Sequence, residues 1–202
     1  MPPSASFRAE EMSKKLDPKK LLTDLRAGRI PKKDLYSVIH TLGHEDYLEA
    51  KADVEQFLTH PNSELRYIAL NVLTFHWMCD EHRTTCEQFL LHDRDSDNRR
   101  MGVAGLGALM ERTKDPKTLS LLLRVFRNKK EEWDVRDVAY QSILYVLGRP
   151  ASEQPSSARL LDYAKDVNWD RIREAETIVH TVKAKTEASR RVPGSRERQR
   201  RT

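Results

Sequence analysis

Residues 55–60 read Glu-Gln-Phe-Leu-Thr-His and residues 87–92 read Glu-Gln-Phe-Leu-Leu-His, so almost the same hexapeptide recurs after 32 residues. Each copy is followed by a polar break, residues 61–63 or residues 93–96, and then by a new segment with helical periodicity. Self-similarity at such a period is the signature of proteins that stack one supersecondary unit several times. We therefore predict a repeat architecture.

The segments after the breaks share a small residue with an apolar residue four positions later, and usually another seven positions later. Apolar residues at this spacing lie on one face of a helix. The small position is occupied by Val38, Ala69, Gly102, Ala139 and Ala175. We predict that neighbouring helices approach most closely at this small column. An arginine stands three residues before it in three copies, and a capping residue stands four before each arginine: Asn62 with Arg66, Asp95 with Arg99, and the weaker Glu132 with Arg136.

Shorter amphipathic stretches lie between these helices, at residues 47–60, 82–92, 115–128 and 158–167. Asp115 followed by Pro116 is a clear helix start, because a capping side chain precedes a proline at the first helical position. No segment alternates apolar and polar residues over the length of a strand. The sequence therefore predicts an all-α fold, a right-handed α-solenoid of about five helix pairs over residues 16–182, with a disordered segment at residues 1–15 and a basic disordered tail at residues 183–202.

Two five-residue strings carry a family resemblance. Residues 65–69, Leu-Arg-Tyr-Ile-Ala, and residues 135–139, Val-Arg-Asp-Val-Ala, resemble the Val-Arg-x-x-Ala start of the first helix in HEAT repeats. The resemblance extends over roughly residues 35–182 and implies a curved stack whose inner face, lined by the second helices, holds a protein partner. A non-enzymatic scaffold is therefore the predicted function. The predicted contacts are exposed polar residues of the second helices, namely Glu87, Gln88, Arg124 and Arg127.

The net charge of +5, from 36 Lys and Arg against 31 Asp and Glu, is concentrated at the end of the chain. Residues 183–202 hold eight basic and two acidic side chains, so the rest of the chain is almost neutral. Two interpretations stay open for this tail: weak, salt-sensitive binding of nucleic acid, or a solvated end that aids solubility. The alternative function is a nucleic-acid-binding module, in which the solenoid cradles a duplex and the basic tail neutralises phosphates. Affinity for polyanions should then disappear when the tail is removed. The tail arginines are Arg190, Arg191, Arg196, Arg198, Arg200 and Arg201.

Two histidines and both cysteines of the chain fall within eleven residues, as His76, Cys79, His82 and Cys86. Four nitrogen and sulfur ligands at such spacings could hold Zn²⁺ in a tetrahedral site. The repeat alignment favours a structural role instead, because His76 falls in the column of Leu109 and Val146. Cys86 aligns with Val54, and a buried cysteine packs as a small apolar side chain. We predict neither a metal nor a cofactor.

Trp133 and Trp169 occupy equivalent positions, each before an aspartate at the start of a first helix. They could stack on a base or grip a peptide, but packing between repeats is the favoured interpretation. Some HEAT-like proteins are DNA glycosylases or lyases, a third alternative for which the sequence offers no catalytic residue set. The first twenty residues have no apolar core typical of a secretory signal, and no uncharged run approaches the roughly 20 residues of a membrane helix. A cytoplasmic protein is the expectation.

Overall fold

The computed structural model describes residues 17–155 and 162–191, and within these ranges every regular element is helical. The helices are α1 (Pro18–Arg26), α2 (Leu35–His44), α3 (Lys51–Glu55), α4 (Ser63–Asn71), α5 (Arg83–His92), α6 (Ser96–Leu109), α7 (Pro116–Arg127), α8 (Trp133–Val146), α9 (Tyr163–Asp166) and α10 (Trp169–Arg191). Short 3₁₀ turns flank α3 at Leu48–Ala50 and Gln56–Thr59, and others occur at Lys32–Asp34, Asp80–His82 and Ala151–Glu153. A π-helical turn, Val72–His76, extends α4. The prediction of an all-α fold is confirmed.

The helices follow the predicted repeat. The first helices of the pairs are α2, α4, α6, α8 and α10, and the second helices are α3, α5, α7 and α9. The described residues thus contain four successive pairs, preceded by α1 and followed by α10.

Of the four capping residues predicted from sequence, Asn62, Asp95 and Asp115 hydrogen-bond the start of the helix that follows, and Glu132 does not. Asn62 Oδ1 accepts hydrogen bonds from the backbone N–H groups of Glu64 at 2.8 Å and Leu65 at 3.4 Å. Asp115 accepts from the N–H of Thr118 at 2.7 Å, directly before Pro116. Glu132 makes no side-chain cap hydrogen bond, because its longer side chain fits this geometry poorly.

The small column lies inside the packing. The side chains of Ala69, Ala139 and Ala175 are completely buried. At Gly102 the backbones of α5 and α6 nearly touch, since a Cβ atom there would lie 2.6 Å from the carbonyl oxygen of Cys86 and 2.8 Å from the backbone nitrogen of Leu90. Only glycine allows α6 to lie this close to α5.

Side chains 27 residues apart link successive repeats. In one unit Arg26 hydrogen-bonds Asp53, Arg66 makes a two-pronged contact with Asp93 at 2.8 Å, and His82 Nε2 lies 3.1 Å from Glu55 Oε1. Arg66 also donates to the carbonyl oxygen of His60 at 2.9 Å, which ties the end of one second helix to the next first helix. The three pairs differ in repeat position, since Arg26 belongs to α1 whereas Arg66 is a first-helix arginine, but each joins one helix pair to the next.

The described residues form two compact units that divide within α6, between Gly105 and Leu106. The sequence predicted a single domain over residues 16–182 and a disordered tail from residue 183. In the structure α10 continues past residue 183 to Arg191. No Gly or Pro interrupts residues 169–191, so no residue there breaks the helix. Basic residues near the C-terminus also stabilise the helix through its dipole. Three segments lie outside the described residues: 1–16, 156–161 and 192–202. The last of them contains Arg196, Arg198, Arg200 and Arg201.

Candidate partner-binding surfaces

The predicted histidine and cysteine set does not converge on one point. Cys86 is completely buried in α5, and burial raises the pKa of its thiol to about 12. His82 is held by Glu55 and by Thr85, whose hydroxyl lies 3.3 Å from Nδ1. Both cysteines are free and buried, and burial raises the pKa of Cys79 as well. Among residues 17–155 and 162–191 no group of three or more His, Cys, Asp or Glu side chains could hold a metal ion.

His76 instead belongs to a histidine cluster that sequence reasoning missed. Its ring lies edge-on to His40, with centroids 5.7 Å apart, and His40 lies 6.3 Å from His44 one turn along α2. Burial, and then the neighbouring His40 and His44, lower the pKa of His76. The spacing of four between His40 and His44 was visible in the sequence, but their approach to His76 was not.

The predicted contact residues lie on two different helices. In α5, Gln88 is exposed, whereas Glu87 is half-buried with its Oε1 3.6 Å from Arg83 Nε. In α7, Arg124 and Arg127 are both exposed. Arg127 forms an ion pair with Glu176 of α10.

The exposed face of α7 is basic. Its exposed side chains are Lys117, Arg124 and Arg127, and α7 contains no acidic residue. Lys129 and Lys130, which follow the helix, are exposed too. Spacings of seven and three residues put these cations on one side of the helix, while the leucines between them are buried.

Two exposed tryptophans lie in the same compact unit as α7. The Trp133 side chain is 49% exposed and that of Trp169 is 40% exposed. Trp169 contacts Phe126 at the end of α7, with ring centroids 6.1 Å apart, so this ring packs between repeats and still presents a face to solvent. Phe126 also stacks on Tyr163 at 5.7 Å, and the Arg136 guanidinium lies 4.8 Å from the Tyr163 centroid.

An open cleft of about 490 Å³ lies within residues 17–105, at the first turns of successive first helices. The helices that line it are α2, α4 and α6, and one further lining residue immediately precedes α6. The lining residues are Tyr36, Ser63, Glu64, Tyr67, Asp95, Asp97 and Arg100. We call this surface the tyrosine cleft. It was not predicted, because the family resemblance directed attention to the second helices.

The tyrosine cleft combines aromatic rings with negative charge. Three carboxylates line it against one guanidinium, and that guanidinium is 2.8 Å from Asp97. Burial, then Tyr67 and then Glu64, raise the pKa of Tyr36, so its hydroxyl stays protonated and neutral. Asp95 also accepts a hydrogen bond from the N–H of Asn98 at 3.2 Å, which fixes the start of α6 beside the cleft.

Comparison with known proteins identifies the repeat. The family model described as HEAT repeats matches residues 50–144, slightly less than half of the chain. HEAT repeats stack helix pairs into α-solenoids, in agreement with the predicted fold class. No curated protein and no solved structure matches the chain. In the part of the chain that the structure describes, no helix has the length and apolar character needed to cross a bilayer.

Proposed function

We propose that this chain, a HEAT-repeat protein over residues 50–144, is a non-enzymatic scaffold that binds a protein partner at the tyrosine cleft. The observation that carries the proposal is the cleft itself, to which successive repeats contribute side chains at equivalent places. A surface built across repeats is longer than any one helix pair provides, and it suits an extended segment of a partner.

The chemistry of the lining selects the kind of segment. Tyr36 and Tyr67 offer large, rigid contact surfaces at low entropic cost. Their rings attract cations, and the surplus of carboxylates complements positive charge. The proposed partner therefore presents a segment that contains lysine or arginine.

The family match supports binding rather than catalysis at the cleft. HEAT repeats are in general non-catalytic, which agrees with a binding role. We place the scaffold in the cytoplasm, the compartment in which free thiols such as those of Cys79 and Cys86 persist.

The test starts from affinity capture with the full chain and identification of the captured protein by mass spectrometry. The purified partner is then titrated against the chain, with Kd measured by fluorescence anisotropy. We expect the Tyr36→Ala/Tyr67→Ala variant to raise Kd at least tenfold, since buried aromatic contacts dominate binding energy. The Glu64→Gln/Asp95→Asn/Asp97→Asn variant should weaken binding and reduce its salt dependence. Asparagine at position 95 keeps the helix cap.

A matched control removes the same charge from α5 and from the 3₁₀ turns that precede α3 and α5. The variant Glu49→Gln/Glu81→Gln/Glu87→Gln neutralises three carboxylates outside the cleft lining and includes Glu87, the contact predicted from sequence. Unchanged affinity in this control supports the cleft. Loss of binding in the control, with the cleft variants unaffected, would assign the partner to the second helices. Capture of nucleic acid alone, with no protein, would overturn the scaffold proposal.

A further inference from the structure

The end of α7 and the starts of α8 and α10 form a surface that the proposed scaffold function does not use. It consists of Arg124, Arg127, Lys129, Lys130, Trp133 and Trp169, all exposed, and we call it the basic–aromatic edge. It lies entirely within the compact unit that begins at Leu106.

Three of the four cations of the edge form no ion pair. Within the described residues these are Arg124, Lys129 and Lys130, whereas Arg127 is paired with Glu176. Three acids follow the edge cations in sequence; one of them, Glu132, is exposed, and the other two accept backbone N–H groups. Glu131 Oε1 accepts the N–H of Glu132 at 3.1 Å, and Asp134 Oδ1 accepts the N–H of Val135 at 2.8 Å.

The Trp169 ring of the edge is supported as well as exposed. Phe126 holds the Trp169 ring from one side, and Phe126 is itself 2% exposed and stacked on Tyr163. Arg136 donates from Nε to the carbonyl oxygen of Phe126 at 3.1 Å, which fixes the end of α7. A supported indole with a free face is a stacking platform, because every base has a π-face to place on it.

We propose that the basic–aromatic edge binds single-stranded nucleic acid. Its cations neutralise phosphates, and Trp133 and Trp169 stack on unpaired bases. A duplex hides its base faces, so it could use the cations but not the tryptophans. An acidic protein segment could use the indoles only where it also carries apolar side chains, whereas every base of a single strand presents a π-face next to a phosphate. The combination of unpaired cations and exposed indoles favours the single strand.

This proposal differs from the alternative drawn from sequence, in which the tail binds nucleic acid. The edge lies before residue 183, and its ligand is expected to remain bound without the tail. It is also independent of the tyrosine cleft, so its failure leaves the scaffold proposal intact.

The test uses the full chain and fluorescein-labelled dT15 and rU15, with anisotropy measured from 50 to 300 mM NaCl. Each single-strand phosphate contact contributes about 0.7 to the slope of log K against log salt, so the four cations of the edge, with one contact each, correspond to a slope of about −3. The Arg124→Gln/Lys129→Gln/Lys130→Gln variant should lower that slope by about 2. Trp133→Ala should weaken binding about tenfold, with little change in slope.

Tryptophan fluorescence gives a second readout that a purely electrostatic contact would not move. Trp77 is 8% exposed and serves as an internal reference, whereas Trp133 and Trp169 should be quenched by stacked bases. The quenching should fall in Trp133→Ala. Trp169→Phe keeps a ring against Phe126 and tests the second indole without removing the packing.

The control variant Arg112→Gln/Lys114→Gln/Lys165→Gln removes three exposed cations elsewhere in the same unit and should bind like the wild type. A chain ending at Arg191 should also retain binding. The proposal is overturned if this truncation abolishes binding, if the control variant loses as much as the edge variant, or if duplex DNA or polyglutamate binds as tightly as dT15.

Discussion

The two compact units make equivalent contacts with different chemistry. In residues 17–105 the first-helix arginine, Arg66, pairs with the carboxylate of Asp93, 27 residues later. In the unit beginning at Leu106 the equivalent arginine, Arg136, lies over the ring of Tyr163, also 27 residues later. The repeat therefore conserves where the arginine reaches, while the partner changes from an anion to an aromatic ring.

The exposed surfaces diverge in the same way. Between Asp17 and Gly105 there are 15 acidic and 12 basic residues, and the tyrosine cleft carries the acidic surplus. The later unit carries the basic–aromatic edge. Because the buried positions are already occupied by the stack, the difference between the units is confined to polar and aromatic side chains at the surface. Five predictions test how far this equivalence extends, beginning with the largest expected effect.

The tightest contact is at Gly102, and Gly102→Ala should be the most damaging change. The new methyl group would meet backbone atoms of Cys86 and Leu90, which cannot turn away as a side chain can. We expect a loss of about 3 kcal/mol in the free energy of unfolding, after the small gain in helix propensity. Urea denaturation measures the loss, and hydrogen exchange in α5 should accelerate. An unchanged midpoint would mean that α5 and α6 can separate without cost.

The arginine contacts should differ in strength between the units. Arg66→Gln leaves Asp93, whose side chain is 8% exposed, without its two-pronged partner, and should cost about 2 kcal/mol. Arg136→Gln loses a cation–π contact and one hydrogen bond and should cost about 1 kcal/mol. Equal losses of unfolding free energy in the two variants would show that the carboxylate and the aromatic ring stabilise the chain to the same extent.

Acid should separate these two contacts further. Burial acts to raise the pKa of Asp93, but hydrogen bonds from Arg66 and from the N–H of Asp95 outweigh it, so the pKa lies below its ordinary value of 3.8. A carboxyl whose pKa is lowered by folding stabilises the protein above 3.8 and loses that contribution as the pH falls through the folded pKa. The destabilisation by Arg66→Gln should therefore shrink at acidic pH, whereas that by Arg136→Gln should not.

The starts of α4 and α8 differ by one capping side chain, whose hydrogen bonds contribute about 1 kcal/mol to the free energy of unfolding. Asn62 caps α4 and Glu132 caps nothing, although both stand four residues before a first-helix arginine. Asn62→Ala should destabilise the chain by about 1 kcal/mol, and Glu132→Asn should stabilise it by about 0.5 kcal/mol. Urea denaturation of both variants checks the pair. No gain from Glu132→Asn would show that the start of α8 is fixed by Trp133 rather than by its cap.

Local patterns predicted the helices, because periodicity and capping depend on residues close in sequence. Asp115 and Pro116 begin α7 as expected, and Gly102 marks a close helix contact as expected. The high charge of residues 183–202 predicted disorder from residue 183. No glycine or proline interrupts residues 169–191, however, and α10 continues to Arg191. The sequence pattern thus describes the repeat better than its end.

The surfaces were harder to predict, because they join residues that are far apart in sequence. Tyr36, Tyr67 and Asp97 are about 30 residues apart and meet only when three first helices stack. The basic face of α7 could have been found, since Lys117, Arg124 and Arg127 share one side of a helix. What could not be found was the position of Trp169 against Phe126, which brings an indole to the same end of α7.

The smallest expected effect concerns pH, and it distinguishes the units because the histidine cluster lies only in residues 17–105. Folding lowers the pKa of His76 below its ordinary value of 6.5, first by burial and then by His40 and His44. The unfolded chain then binds the proton more readily than the folded chain, so stability is full above 6.5 and falls as the pH drops towards the folded pKa. His76→Gln should flatten the stability profile between pH 7 and 5, while His180→Gln in the other unit should leave it unchanged. If both variants keep the wild-type slope of stability against pH, the proton is taken up at another group. The proximity of His76 to His40 and His44 then has no effect on the pH dependence of stability.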